Sequence, residues 1–125
     1  MRETKYWVWH ITAGLVVLLL LGAHMAIMHL GNLLRLVGIG LGDPLAFAQV
    51  AARGRTVLFM ATYILLLGAA LFHGLYGLRT ILLELSLSPR GERGVTVGCW
   101  AAGAAFFLLG AWAAVASFRL APGAG

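Results

Sequence analysis

Three long apolar stretches, separated by short polar breaks, set the plan of this chain. Tyr6 to Leu34 holds no Asp, Glu, Lys or Arg, and its dense apolar part runs from Trp7 to Leu30. A helix crosses the hydrocarbon layer with about 20 apolar residues. Residues 7–30 are therefore predicted to span a membrane, with Trp7 and Trp9 at the interface where the helix enters. A secretory signal is excluded because its apolar core is only about 7–15 residues long, and this stretch also carries His24 and His29. Gly38-Ile39-Gly40-Leu41-Gly42-Asp43-Pro44 breaks the pattern and reads as a loop. Ala46 to Arg55 reads as a weakly amphipathic helix lying on the membrane surface. A second span is predicted over 56–83, with Arg79 and Glu84 marking its far end, and Ser88-Pro89-Arg90-Gly91-Glu92-Arg93-Gly94 reads as a polar turn. The third span, 95–118, is rich in alanine and glycine, which lets helices approach closely. Arg119 to Gly125 is expected to be a short, frayed tail. The prediction is all-α: one integral membrane three-helix bundle over residues 1–125, with no internal repeat.

Composition changes the picture little and narrows the partners. Only 10% of the residues are charged and 62% are hydrophobic, against about 25% charged in a soluble domain. The net charge of +5 would raise nucleic acid as a partner in a soluble protein. Here the basic residues sit at helix ends and in loops, where lipid headgroups and the positive-inside rule account for them, so no nucleic acid is expected. With the N-terminus inside, Arg2, Lys5, Arg79, Arg90 and Arg93 lie inside, and Arg35, Arg53, Arg55 and Arg119 lie outside. That balance favours an N-in, multi-pass protein of the cytoplasmic (inner) membrane. The single cysteine, Cys99, lies in an apolar run, reads as a small packing residue and cannot form an intrachain disulfide.

Chemistry enters with the histidines. His10, His24, His29 and His73 all fall in or at the edge of predicted spans, where each carries a desolvation cost that demands a partner. One alone would read as a packing residue bonded to a hydroxyl or carbonyl. Several in two adjacent helices point further. Zinc would want a tight cluster with Cys, Asp or Glu, and a proton relay would want acids inside the spans; neither is present in the sequence. A b-type haem needs one imidazole on each face of the iron, and these can come from different helices or subunits. His73, Gly77 and Glu84 fall within roughly 40° of one helical face. Gly77, one turn from His73, would leave room for a flat macrocycle. Arg79 lies at a depth suited to a haem propionate or a quinone headgroup, or to plain snorkelling. His10 and His24 are about 21 Å apart along their helix, and His29 is rotated about 140° from His24. His24 is therefore preferred as a ligand, with His29 left to a propionate, quinone or supporting role. Depth separates His24, in the outer half, from His73, about 16 Å from Glu84. The two are expected to serve different haems, each completed by a partner subunit.

These residues carry a resemblance. The segment His73-Gly74-Leu75-Tyr76-Gly77-Leu78-Arg79, followed by Glu84, resembles the second-helix pattern of the membrane-anchor (cytochrome b) subunits of succinate dehydrogenase and fumarate reductase, of the small three-helix type. Trp9-His10-Ile11-Thr12-Ala13-Gly14 is similar to that family's opening run, and in its dihaem members a ligand histidine follows about ten residues after the glycine, where this chain has His24. The resemblance implies that His73 and His24 are axial ligands of haem b iron, in two haems. Gly77, Arg79 and His29 would serve haem packing, propionates or support, and His10 and Glu84 a quinone site. One position departs: the arginine often found after the first histidine is Ile11 here, which weakens the case for quinone binding by that run.

The implied setting is a complex of a flavoprotein, an iron–sulfur protein and two anchors, with quinone as electron acceptor or donor. The dicarboxylate chemistry occurs elsewhere, so this chain would be a non-catalytic electron-transfer subunit. Two other readings compete: a haem-free structural anchor of the same type of enzyme, and a small transporter or channel subunit. The last predicts acids or broken helices at mid-membrane.

Overall fold

The computed structural model describes residues 2–38, 52–53 and 56–120. It consists of three long helices: α1 (Arg2–Leu36), α2 (Val57–Leu83) and α3 (Pro89–Leu120). The segments Thr4–Leu30, Val57–Leu83 and Pro89–Arg119 are each long and apolar enough to cross a membrane. The all-α, three-helix architecture expected from the hydropathy pattern is the one found. The surface helix expected over 46–55 lies outside the described residues except at 52–53, which are helical. Most of the expected loop and the tail beyond Leu120 also lie outside them.

The helices form a layer rather than a closed bundle. α2 packs against both neighbours, while α1 and α3 bring no described Cα atoms within contact distance of each other. Across α1 and α2, Tyr6 meets Tyr76, His10 meets His73 and His24 meets Tyr63. Partners rise along one helix as they fall along the other, so the pair is antiparallel. Across α2 and α3, Gly68 faces Phe107, Gly103 faces Leu75 and Gly110 faces Leu67. Small residues receiving large ones is the packing expected of membrane helices, where association relies on close contact rather than on exclusion of water. No described residue is buried, and large side chains such as Leu18, Leu108 and Trp112 stand exposed. Apolar faces of that kind suit a hydrocarbon solvent. The molecule is an integral, multi-pass membrane protein.

Two helix ends differ from the sequence expectation. α1 continues beyond 30 because nothing interrupts its backbone bonds until Gly38, whose φ of +83° is a conformation that ends helices. α3 begins at Pro89, inside the stretch read as a turn. Ser88 is the reason. Its Oγ accepts a bond from the Gly91 N–H at 3.3 Å and its carbonyl accepts the Glu92 N–H at 3.0 Å. Pro89 then stands at the first helical position, where a missing N–H costs nothing. The true connection between α2 and α3 is therefore only Glu84–Ser88, with Ser86 in the left-handed region at φ 53°.

Candidate functional site

The centre of the α1–α2 contact is a pair of histidines held by a pair of glycines. The rings of His10 and His73 lie parallel, 1° apart in plane, with centroids 4.3 Å apart. That separation between parallel planes is an offset stack, the arrangement flat rings prefer. Each ring fits a gap left by a glycine on the opposite helix. A Cβ on Gly14 would stand 2.8 Å from Cε1 of His73, and one on Gly77 would stand 3.3 Å from Cε1 of His10. Both helices thus carry the same local spacing, His10-x-x-x-Gly14 and His73-x-x-x-Gly77. Four residues make one turn, which sets each glycine beside its own histidine. In an antiparallel pair that spacing makes the two fits reciprocal.

Polar satisfaction in this contact is lopsided. Nδ1 of His73 lies 3.1 Å from the carbonyl oxygen of His10. A carbonyl can only accept, so Nδ1 of His73 carries the hydrogen. In the neutral ring, Nε2 is then the nitrogen with the free lone pair. Nε2 of His73 has no hydrogen-bond partner among the described residues. Nδ1 of His10 is a buried side-chain polar atom without a partner among the described residues. A donated Nδ1–H and an open Nε2 are the usual state of a metal-ligating imidazole. Nε2 is thus the nitrogen through which His73 would ligate a metal. The flat stack of His73 on His10 means that the two rings cannot take opposite faces of one iron.

Above the pair runs an aromatic ladder. Tyr76 lies 5.3 Å from His10, 6.2 Å from Tyr6 and 5.6 Å from Phe72, and Phe72 lies 6.3 Å from Trp100 of α3. The ladder leads to a cleft of about 590 Å³ at one end of the molecule, whose lining includes Tyr6, Tyr76, Arg79, Glu84, Thr96 and Trp100. Arg79 is turned toward α3, where its Nε–H donates to Thr96 Oγ1 at 3.1 Å. That leaves the rest of the guanidinium for a ligand in the cleft. A narrower, almost wholly apolar slot of about 260 Å³ between α2 and α3 shares Tyr76, Arg79 and Trp100 with it, and Cys99 lies on its wall.

The site residues expected from the sequence are distributed as follows. His73 is at the helix contact, and Gly77 is there too, but the ring it accommodates is that of His10. Arg79 and Glu84 line the end cleft. His10 is not part of the cleft lining and reaches it only through Tyr76. His24 is not brought to His73: it lies edge-on to Tyr63, with centroids 6.4 Å apart. Tyr63 is ten residues from His73, about 15 Å along α2. His29 is exposed on α1. No group of three or more His, Cys, Asp or Glu able to hold a metal ion occurs among the described residues. Sequence reasoning missed Gly14, Tyr6, Tyr76, Thr96 and Trp100. The repeated His-x-x-x-Gly spacing was the available signal for Gly14; the others are ordinary aromatic and hydroxyl residues until the helices are paired.

No family model and no solved structure matches the chain. The chain is similar to a succinate dehydrogenase hydrophobic membrane anchor subunit of Archaeoglobus fulgidus, with 33% identity over 94 residues, covering 75% of this chain and 73% of the relative.

Proposed function

Because the chain belongs to the family of succinate dehydrogenase hydrophobic membrane anchor subunits, we propose that it is the haem b-binding anchor of a succinate:quinone oxidoreductase. It holds the flavoprotein and iron–sulfur subunits at the membrane and helps electrons pass between the iron–sulfur clusters and quinone. The observation that carries the haem assignment is the bond from Nδ1–H of His73 to the His10 carbonyl. It fixes the tautomer whose Nε2 can ligate iron. Haem b bound there supplies one-electron transfer within the low-dielectric interior. His24 is the proposed ligand of a second haem, at the level of Tyr63. Neither His10 nor His24 is placed to share an iron with His73, so the opposite ligands come from a second anchor subunit. Arg79 and Glu84 in the end cleft are the proposed polar contacts of the quinone headgroup, with Arg79 or His29 serving propionates.

The test is a reduced-minus-oxidised spectrum of the purified complex. Wild type should show b-type absorbance, and His73→Ala and His24→Ala should each remove one haem and spare the other. Full haem content in either variant would sink that assignment. A second reading is favoured by one observation: the gap at Gly77 is filled by the His10 ring. On that reading the histidines only pack α1 against α2 in a haem-free anchor, and the wild-type complex shows no b-type absorbance.

A further inference from the structure

We infer that His10 is a positioning residue for His73, and that Gly14 and Gly77 form with the two rings a reciprocal lock setting both the register of α1 on α2 and the rotation of the His73 imidazole. The inference rests on the reading of His73 as a haem ligand, but the lock itself is argued from packing alone. Three constraints converge on one ring. The His10 carbonyl takes the Nδ1 hydrogen at 3.1 Å, the His10 ring covers one face at 4.3 Å, and the backbone at Gly14 closes in on the Cε1–Nδ1 edge. A ring held on an edge, a face and a hydrogen bond has little freedom to rotate, so Nε2 points in one direction before any ligand arrives. His10 is itself held by the gap at Gly77, so a shift of one helix displaces both rings at once.

Glycines elsewhere on the same helices provide the contrast. A Cβ on Gly22 of α1 or Gly74 of α2 would meet nothing within 4 Å. The lock therefore predicts a position-specific response to one methyl group. Gly14→Ala, whose Cβ would meet a ring that cannot fold away, should cause a several-fold loss of the haem b assigned to His73 and spare the one assigned to His24. What remains of the His73 haem should show a changed low-spin electron paramagnetic resonance signature, because that signature reads the orientation of the axial imidazole. The same variant should lower the temperature at which the detergent-solubilised complex comes apart. Gly77→Ala should do the same more mildly, and Gly22→Ala and Gly74→Ala should match wild type. His10→Ser keeps a main-chain carbonyl but removes the ring. It should alter the signature of the His73 haem while leaving iron bound. In that background Gly77→Ala should add nothing further, because the atom its Cβ meets is gone.

The outcomes separate the two claims. If the wild-type complex holds no haem b, the ligand reading fails, and the temperature series alone decides the lock. If wild type holds haem b but Gly14→Ala behaves like Gly22→Ala in both readouts, the lock is wrong and the ligand reading stands. An unchanged resonance signature in His10→Ser overturns the positioning role of its ring.

Discussion

Ser86 is a small test of backbone strain at a single residue. Its φ of 53° puts a Cβ in the left-handed region, which costs roughly 1–2 kcal/mol for a side-chain-bearing residue. Ser86→Gly should therefore raise the temperature at which the solubilised complex dissociates, and Ser86→Val should lower it. The histidine site is decided at the same scale. His73 stood out in the sequence because an imidazole in an apolar helix demands an explanation. Gly14 did not, since a glycine in such a helix has many possible packing reasons. What singles it out is the ring of His73 arriving from another helix; the repeated His-x-x-x-Gly spacing marks the position but does not contain that arrival. The same limit applies to His10. The resemblance implied a quinone contact for His10, and only the paired helices show its ring stacked on His73, with Nδ1 lacking a partner among the described residues.

At the level of the helices, ends and seams follow different rules. The apolar run located the third span, but its first helical residues are polar and were set by the Ser88 cap and Pro89. Ser88→Ala should cost about 1 kcal/mol, the usual worth of such a cap, measured as a lowered dissociation temperature with the spectrum unchanged. Apart from Gly68, which faces the Phe107 ring, the glycines of the seam between α2 and α3 tolerate more than those between α1 and α2. Cβ atoms on Gly103 and Gly110 would meet the ends of Leu75 and Leu67, flexible side chains that can change rotamer. Gly103→Ala should therefore disturb the complex much less than Gly14→Ala, compared by haem content and dissociation temperature in one series. Arg79 adds a hydrogen bond to the seam between α2 and α3. Thr96→Val removes the acceptor of its Nε–H and should weaken the docking of α3 by roughly 1 kcal/mol, a typical net hydrogen-bond contribution, seen as earlier thermal dissociation.

For the molecule as a whole, fold class and number of spans were plain from hydropathy, because lipid forces every backbone polar group to be satisfied within a helix. The layered arrangement was not plain, since three apolar helices read alike until their glycines find partners. The number of crossings between two points also fixes their relative sidedness. With Lys5 before the first crossing and the Glu84–Ser88 turn after the second, both stand on one side of the membrane. Lys5→Cys and Ser86→Cys should be labelled together by an impermeant thiol reagent, from the inner side if the N-terminus is inside; labelling from opposite sides would contradict the topology. The central place of α2 has a consequence for biosynthesis. Everything that holds His10 against His73 belongs to the first two helices, so it can assemble once α2 has entered the bilayer. Synthesis of α3 then contributes Thr96 and Trp100 and completes the cleft around Arg79. The chain thus builds its histidine pair before it builds its second wall, and a nascent chain stalled before Pro89 should already possess the first without the second.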